Sequence, residues 1–460
     1  MILIPEKVKQ ILKTLNEAGY PAYVVGGAVR DAVLGLKPHD WDIATNAVPG
    51  EVKKLFEKTV DTGIKHGTVT VMDGDEGFEV TTFRTDGKYT DGRHPDEVKF
   101  VGSIEEDLAR RDFTINALAL DINGTVIDPF GGLSDLAKGV IRCVGDPNAR
   151  FQEDALRMLR AVRFESQFGF TLEEQTKEAI SLHAERLNQI SPERIRDELT
   201  KMLLTDHPKW GFLDAYRTGI TAQIFPEFDA MLECEQNSWA HYASVGMHTL
   251  DVVEYIKPEP RLRWVALLHD VGKPSTKSQK PTTGEDTFIG HPQRSYEISK
   301  IILCRLRFSN ADMQHILELV KYHDYLPERM TKVREFAANH NLEFIADLEE
   351  VKRADLEAHT PTCITKFAPL NAEFIEAAQN EILDGRAIKI TDLAINGDDL
   401  LALGIQGIDI GEFLRFEHKD CLARPERNSR EFLIMRAKQF KQKLDTERKG
   451  VDNNTEERGL

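Results

Sequence analysis

The sequence predicts an α+β protein, with a small mixed β-sheet unit first and helices after it. Residues 1–150 interleave short β-rich runs with helical patterns and Gly-containing turns. From Phe151 onward nearly every segment spaces its apolar residues at a 3.6-residue period. No internal repeat or long low-complexity linker interrupts the 460 residues, a length that suits three or four successive units.

The predicted strands, in order, are YVV ahead of Gly26–Gly27, WDIAT at 41–45, TVTVM at 68–72, FEVTTF at 78–83, EVKFV at 97–101 and VIRCV at 140–144. Helical patterns fall between them, at EVKKLFE (51–57) and IEEDLARR (104–111). Beyond Phe151 the helices include EDALRMLRAVRF (153–164), SPERIRDELTKML (191–203) and ADMQHILELVKY (311–322). The expected units are 1–150, 151–230, 231–365 and 366–460, arranged as an elongated head, neck, body and tail.

Composition narrows the function classes. Lys and Arg number 59 against 76 Asp and Glu, a net charge of −17, which disfavours a protein that coats nucleic acid by neutralising phosphates. The acidity is uneven, because Arg424, Arg427, Arg430, Arg436, Lys438, Lys441 and Lys443 form a basic stretch near the C-terminus. The five cysteines lie far apart with no CxxC, which excludes a thiolate zinc site and fits a reducing compartment. No signal-length or membrane-length apolar run occurs, so a cytoplasmic protein with no membrane partner is expected.

The stretch YVVGGAVRDAVLGLKPHDWDIAT (23–45) concentrates the chemistry. A strand runs into Gly26–Gly27 and a helix is expected from Ala28. Glycine lets the backbone approach a phosphate there, and the helix start offers free N–H groups and a positive dipole end. Arg30, one turn in, can add a charged contact. Asp40 and Asp42 stand two apart, which on a strand places both carboxylates on one face. Such a pair suits hard Mg²⁺, and two such ions can clamp an in-line phosphoryl displacement. Taken singly, each motif also reads as a plain glycine turn or two surface aspartates.

GGAVRDAVLG…HDWDIAT resembles the signature of the DNA-polymerase-β-like nucleotidyltransferases, within them the bacterial class II tRNA nucleotidyltransferase and poly(A) polymerase family. The resemblance continues at ARRDFTINALAL (109–120), EDALRMLRAVRF and ERIRDELTKML (193–203). It implies catalytic Asp40 and Asp42 on Mg²⁺, phosphate contacts at Gly27 and Arg30, and nucleotide contact by Arg111. It also implies that Asp112 and Asn116 read the ribose, although Asp112 could instead cap the TINAL helix. Glu79 is a further candidate carboxylate for the metal.

Asp154, Arg157, Arg160 and Arg163 recur every three residues on the predicted helix, making Asp154 and Arg157 neighbours. Cytosine and adenine both present an exocyclic amine beside a ring-nitrogen acceptor, which a carboxylate and a guanidinium can match. Uracil and guanine would set a carbonyl against the carboxylate, and an unmet buried group costs about 1–3 kcal/mol or more. The resemblance assigns base reading to Asp154 and Arg157 and nucleotide binding to Arg160 and Arg163; a solvated Asp–Arg face is the plain alternative. It implies ATP, CTP and the tRNA 3′ end as partners, with the protein a monomer or homodimer. TGIKHGTVTV (62–71) looks like the CCA- and CC-adding branch rather than the poly(A) polymerases. FRTDGKYTDGRHPDEVKF (83–100) resembles the loop that CC-only enzymes lack, with Arg93–His94 where the family has two arginines. Complete CCA addition is therefore expected, with A-only addition as the close competitor and CC-only addition behind it.

A second constellation lies in the helical middle: His248, His269–Asp270 in LLHDVGKP, His291 and His323–Asp324. Imidazole and carboxylate together suit a transition metal. The order resembles the HD phosphohydrolase superfamily and implies Mn²⁺, Ni²⁺ or Co²⁺ on His248, His269, Asp270, His291 and Asp324, with phosphodiesterase or phosphatase activity as an alternative or second function. INGDDLLALGIQGIDIGEFL (395–414) resembles a family tail motif and reads physically as a helix-turn-helix packing unit. The basic stretch after it is a candidate contact for the tRNA backbone.

Overall fold

The computed structural model describes residues 2–38, 40–86 and 98–456. Its sheet strands are β1 Ala22–Val25, β2 Ile43–Thr45, β3 Thr59–Gly63, β4 Thr68–Asp73 and β5 Glu76–Thr82, then a separate antiparallel pair β6 Arg84–Asp86 and β7 Val98–Phe100, then β8 Ala119–Leu120 and β9 Val126–Ile127. The main sheet has seven strands in the order β3-β4-β5-β2-β1-β8-β9. β2 and β5 pair in parallel and the other neighbours are antiparallel, so the sheet is mixed as expected. Alternation along β4 buries Val69 and Val71. They belong to the same apolar cluster as Val8, Ile11, Leu12 and Leu15 from one face of the Glu6–Glu17 helix.

Two expected strands fall outside this sheet. EVKFV contributes β7, whose partner is β6. VIRCV supplies only Val140–Ile141, which pairs in parallel with Thr171–Leu172 of the next unit. Gly139, at φ 67°, turns the chain there and accepts a hydrogen bond from the Thr171 N–H at 2.9 Å. Residues 87–97 of the expected flexible loop, including Arg93 and His94, lie outside the described residues.

The helix expected over 153–164 is two helices. Pro147–Glu153 ends before Asp154, which is extended at φ −140°, ψ 106°, and Leu156–Phe168 follows. The Asp154 carboxylate accepts the Leu156 N–H at 3.0 Å, a local bond that competes with helix continuation. Helices Pro192–Leu203 and Pro208–Arg217 pack around Leu156–Phe168. Gly211 permits that approach: a Cβ there would sit 2.0 Å from Ser166 Oγ and 2.6 Å from the Val162 carbonyl. One apolar core continues from the sheet through these helices to Phe374, Ile375 and Ala378.

The Pro361–Leu383 helix carries the chain past residue 366 toward a tail with its own core, built on Leu393, Leu400, Phe413 and Leu433. Gly397–Ala402 and Ile408–Ala423 form the expected helix–turn–helix. The basic stretch is largely neutralised in place: Arg424 and Arg427 pair with Asp420, Arg430 with Asp399, Arg436 with Glu417 and Lys441 with Asp445. Among the described residues no helix is long and apolar enough to cross a membrane.

Glu165 of the Leu156–Phe168 helix is buried beside Asp214, which itself pairs with Lys177 and Arg217. Burial, then the Asp214 charge, push Glu165 from an ordinary 4.5 up to about 8. Between those pH values the unfolded chain releases a proton that the folded chain keeps. Stability therefore falls as pH rises from about 4.5 to 8. Glu165→Gln should flatten this slope and raise the thermal midpoint at pH 8 relative to wild type, by about 1 °C for each kcal/mol recovered in a chain of 460 residues, measured by calorimetry at pH 5 and 8.

Candidate active site and a second candidate metal centre

β1 ends at Gly26, whose φ of 72° turns the chain into the Gly27–Val33 helix, one residue earlier than expected. The positive φ is matched by crowding: a Cβ on Gly26 would lie 2.8 Å from an Arg111 guanidinium nitrogen. β2 begins at Ile43, so Asp40 and Asp42 sit on its approach rather than within it. The Asp42 carbonyl still accepts the Val25 N–H at 2.9 Å, which extends the ladder and fixes Asp42 beside the turn.

Asp40, Asp42 and Glu79 line one cleft of about 750 Å³ with Trp41, Lys37 and Lys7. Glu79 comes from β5, the parallel neighbour of β2. Burial, then the Glu79 charge, push the Asp42 carboxyl above the ordinary value; Arg111 opposes this and Asp40 adds to it. Asp40 and Asp42 are both open to solvent in the cleft, and a carboxylate repelled by two others there is a site that a hard divalent cation fits.

The residues of ARRDFTINAL form a buried network. Asp112 accepts from its neighbour's Phe113 N–H at 2.8 Å and from Asn116 Nδ2 at 3.0 Å through Oδ1, and from Arg160 Nε and a terminal nitrogen at 2.9 and 2.6 Å through Oδ2. Burial alone would raise Asp112; the Arg160 charge and these bonds hold it far below the usual carboxylate range. Asp112 is not a helix cap, because the short Thr114–Asn116 turn starts after Phe113 with no side-chain cap. Asn116 Oδ1 accepts from Arg30 at 2.6 Å, and Arg30 also bonds Asp31 at 2.9 Å and lies over the Phe168 and Phe164 rings. Arg30 thus packs against the Leu156–Phe168 helix while its guanidinium stays beside the glycine turn, 3.4 Å from where a Gly27 Cβ would sit.

Asp154 and Arg157 do not pair with each other. Asp154 Oδ2 accepts from Arg194 at 2.7 Å, while Arg157 bonds Glu153 at 2.6 Å, the Arg110 carbonyl at 3.0 Å and the Arg150 carbonyl at 3.3 Å. The break at Asp154 is the reason, since it removes the helical register that would have stacked them. Arg163 is turned to Glu198 at 2.6 Å and to Gln167 at 2.7 Å. Sequence reading missed these partners, Glu153, Arg194 and Glu198, although SPERIRDELTKML had marked the helix that carries the last two. It also missed Asp107, the buried carboxylate that binds Arg110 at 2.9 Å and Arg111 at 3.4 Å.

In the helical middle, His248, His269, Asp270, His291 and His323 converge. His248 Nε2 lies 3.0 Å from Asp355 Oδ1 and 3.8 Å from Asp270 Oδ2, and His269 Nε2 lies 3.5 and 3.2 Å from the same two oxygens. On the other side, Asp270 Oδ1 faces His291 at 3.3 Å and His323 at 3.7 Å. His269, His291 and His323 each place Nδ1 2.7–2.9 Å from the carbonyl three residues back, which directs Nε2 to the centre. Burial drives His323 down to about 3 and also lowers His248 and His291, so these rings are neutral and keep a lone pair.

His269 is the exception: burial is the largest single influence and lowers it, but the Asp270 charge, the contacts to Asp270 and Asp355 and the Asp355 charge together raise it to about 10. Asp270 and the half-buried Asp355 both face His269, and the buried Lys273 ammonium pairs with Asp270 Oδ2 at 2.6 Å; His269 Nε2 and both Asp270 oxygens lack a well-aligned hydrogen bond. Ligand atoms about 2.1 Å from one ion stand about 3.0–3.4 Å apart, close to the spacing seen here, so the donor set fits a divalent transition metal. Asp324 lines the adjoining cavity of about 370 Å³, but the clustered atom is that of its neighbour His323. Asp355 was missed; its signal is the Asp355–His359 spacing of four at the end of an apolar helix.

Three family profiles match successive segments: a poly A polymerase head domain over residues 22–142, a probable RNA and SrmB-binding site of polymerase A over 169–232, and an HD domain over 240–360. The CCA-adding enzyme of Levilactobacillus brevis is 55% identical over 223 residues, 48% of this chain and 56% of that protein. That of Lactiplantibacillus plantarum is 53% identical over 231 residues, 50% of this chain and 56% of that protein. The match thus spans little more than half the length of these curated relatives. The crystal structure of the Bacillus stearothermophilus CCA-adding enzyme in complex with CTP is 30% identical, with a TM-score of 0.72, covering 97% of this chain and 100% of that one. With that similarity along its whole length, the chain belongs to the CCA-adding enzyme family.

Proposed function

We propose that this chain adds C, C and A to tRNA 3′ ends from CTP and ATP, releasing pyrophosphate. The observation that carries the reading is the convergence of Asp40, Asp42 and Glu79 in one cleft beside the Gly26–Gly27 turn. Mg²⁺ held by Asp40 and Asp42, with Glu79 on the same wall, supplies charge stabilisation for displacement at the α-phosphate. The N–H groups that open the Gly27–Val33 helix face the triphosphate, and Arg111 adds a cation beside the turn.

Base and ribose selection divides by what remains unbonded. A carboxylate has about four acceptor positions. Asp112 uses all four internally, so it acts by orienting Asn116 and Arg160. Asp154 uses two, to Leu156 and Arg194, and keeps two for the exocyclic amine of cytosine or adenine. Arg157 spends three of its five N–H groups and keeps two for the ring nitrogen.

Asp42→Ala should abolish incorporation while tRNA affinity stays within about threefold; retained turnover on tRNA lacking CCA refutes the metal assignment. Asp154→Ala should relax selection against UTP and GTP by about tenfold or more. Sizing products from tRNA ending before CCA, in C and in CC, with each nucleotide alone, separates CCA, CC and A addition, and unchanged selectivity removes Asp154 from base reading.

The histidine–carboxylate centre favours a second reading, phosphate-ester hydrolysis: water adds its oxygen to phosphorus, the ester P–O bond breaks, and the alcohol leaves with a proton. A divalent Mn²⁺, Ni²⁺ or Co²⁺ on His248, His269, Asp270 and Asp355, with His291 and His323 on the far side of Asp270, supplies Lewis-acid activation. Wild-type protein dialysed against Mn²⁺ should retain the metal after desalting, and chelation should lower its thermal midpoint. Asp270→Ala and Asp355→Ala should lose both effects, and equal metal content in these variants overturns the centre.

A further inference from the structure

The loop at 236–243 runs along the mouth of the second centre with its side chains divided between two surroundings. Ser238 and His241 face the cavity that holds Asp270, His291, His323 and Asp355. Each brings a buried polar atom without a hydrogen-bond partner, Ser238 Oγ and His241 Nδ1. The intervening and following aromatics stand in solvent, Trp239 at 43% exposed and Tyr242 at 73%. Trp239 is stacked on Phe367, with ring centroids 6.5 Å apart and planes 21° apart. The Lys366 ammonium lies 5.2 Å from the Trp239 ring and 5.0 Å from Phe367.

This group is anchored to the wall of the centre. Thr360 donates its N–H to the Ala240 carbonyl and its hydroxyl to the Trp239 carbonyl, both at 3.0 Å. Thr360 adjoins His359, whose ring lies 4.4 Å from His241. An exposed, fixed indole with a cation beside it is the surface on which nucleobases stack, at a cost of order tenfold per base when the ring is removed. Ser238 and His241, which flank Trp239 and Ala240 in the chain, line the cavity of the centre, so the exposed ring stands on the loop that borders that cavity.

We infer that Trp239, with Phe367 and Lys366, forms a nucleobase-stacking subsite that selects nucleotide phosphate esters for the histidine–carboxylate centre. Trp239 is a positioning and specificity residue here, and its assignment rests on the hydrolytic reading of that centre. The shared ligand chemistry is a base joined through ribose to a phosphate, from a free mononucleotide or from an RNA end.

The test compares wild type, Trp239→Ala and Trp239→Phe in the full chain supplied with Mn²⁺. For hydrolysis of adenosine 3′-monophosphate, Trp239→Ala should raise KM about tenfold with kcat within twofold. KM for glycerol 2-phosphate, which has no base, should not move, and Trp239→Phe should restore most of the nucleotide KM. An equal KM change for both esters, or none for either, overturns the subsite. Binding is read separately by equilibrium dialysis with adenosine 3′-monophosphate and with an RNA ending in a 3′-phosphate. Weakening by Trp239→Ala of about tenfold for the mononucleotide assigns free nucleotides, and weakening for the RNA alone assigns RNA ends. If wild type hydrolyses neither ester, the hydrolytic reading fails by itself. Dialysis then decides the subsite, and unchanged affinity for both ligands overturns it.

Discussion

The Asp112–Arg160 ion pair is the contact on which the nucleotide side of this protein depends. It joins the sheet unit to the Leu156–Phe168 helix across 48 residues of sequence, and the carboxylate is buried. Removing Arg160 would leave the buried Asp112 charge without its ionic partner, whereas Arg160 itself is about one-third open to solvent. The chain of bonds continues outward: Asp112 holds Asn116, Asn116 holds Arg30, and Arg30 lies against Phe164 and Phe168 on the same helix. The glycine turn and the Leu156–Phe168 helix are thereby fixed relative to each other from two directions.

That rigidity explains why most arginines near the site are spent on the protein itself. Arg163 serves Glu198, Arg110 and Arg111 serve Asp107, and Arg160 serves Asp112. Groups with bonding capacity to spare are the exception: Asp154, Arg157 and the Asp40–Asp42–Glu79 cleft. The same division recurs at the second centre, where outer ring nitrogens are satisfied by backbone carbonyls and inner ones face Asp270. In both places the scaffold is saturated and the site is left short of partners.

The sequence made the sheet unit and the long helices legible, since alternation and 3.6 periodicity are local properties. It showed Asp40, Asp42 and the histidines because their spacing within a motif is itself the signal. What it hid was pairing across the fold. Asp154 and Arg157 looked like partners because the helix was taken as unbroken, whereas a single local bond from Asp154 to the Leu156 N–H ends that helix. Arg194 lies 40 residues from Asp154 and Asp355 lies 85 from Asp270, in segments whose own patterns read as ordinary helix. VIRCV looked like a sheet strand because its alternation is real, but it divides: Val140–Ile141 pairs with Thr171–Leu172, while Arg142 and Val144 bond Thr114 and Asp112.

The two centres share one frame. The Pro192–Leu203 helix carries Arg194 toward Asp154 and Glu198 toward Arg163. Thr200 on that helix accepts the Trp264 indole N–H at 2.9 Å, and Trp264 sits in Pro260–Leu268, the helix that runs directly into His269 and Asp270. One helix therefore sets the partners of Asp154 and Arg163 and also supports the element that delivers the His269–Asp270 pair. Because all of these residues lie in or around a single continuous core, displacement of either helix would disturb packing at both centres. This is a mechanical constraint rather than a signal between sites: it requires the neck and the histidine-bearing body to pack as one body, and it accounts for buried Trp264 at the junction.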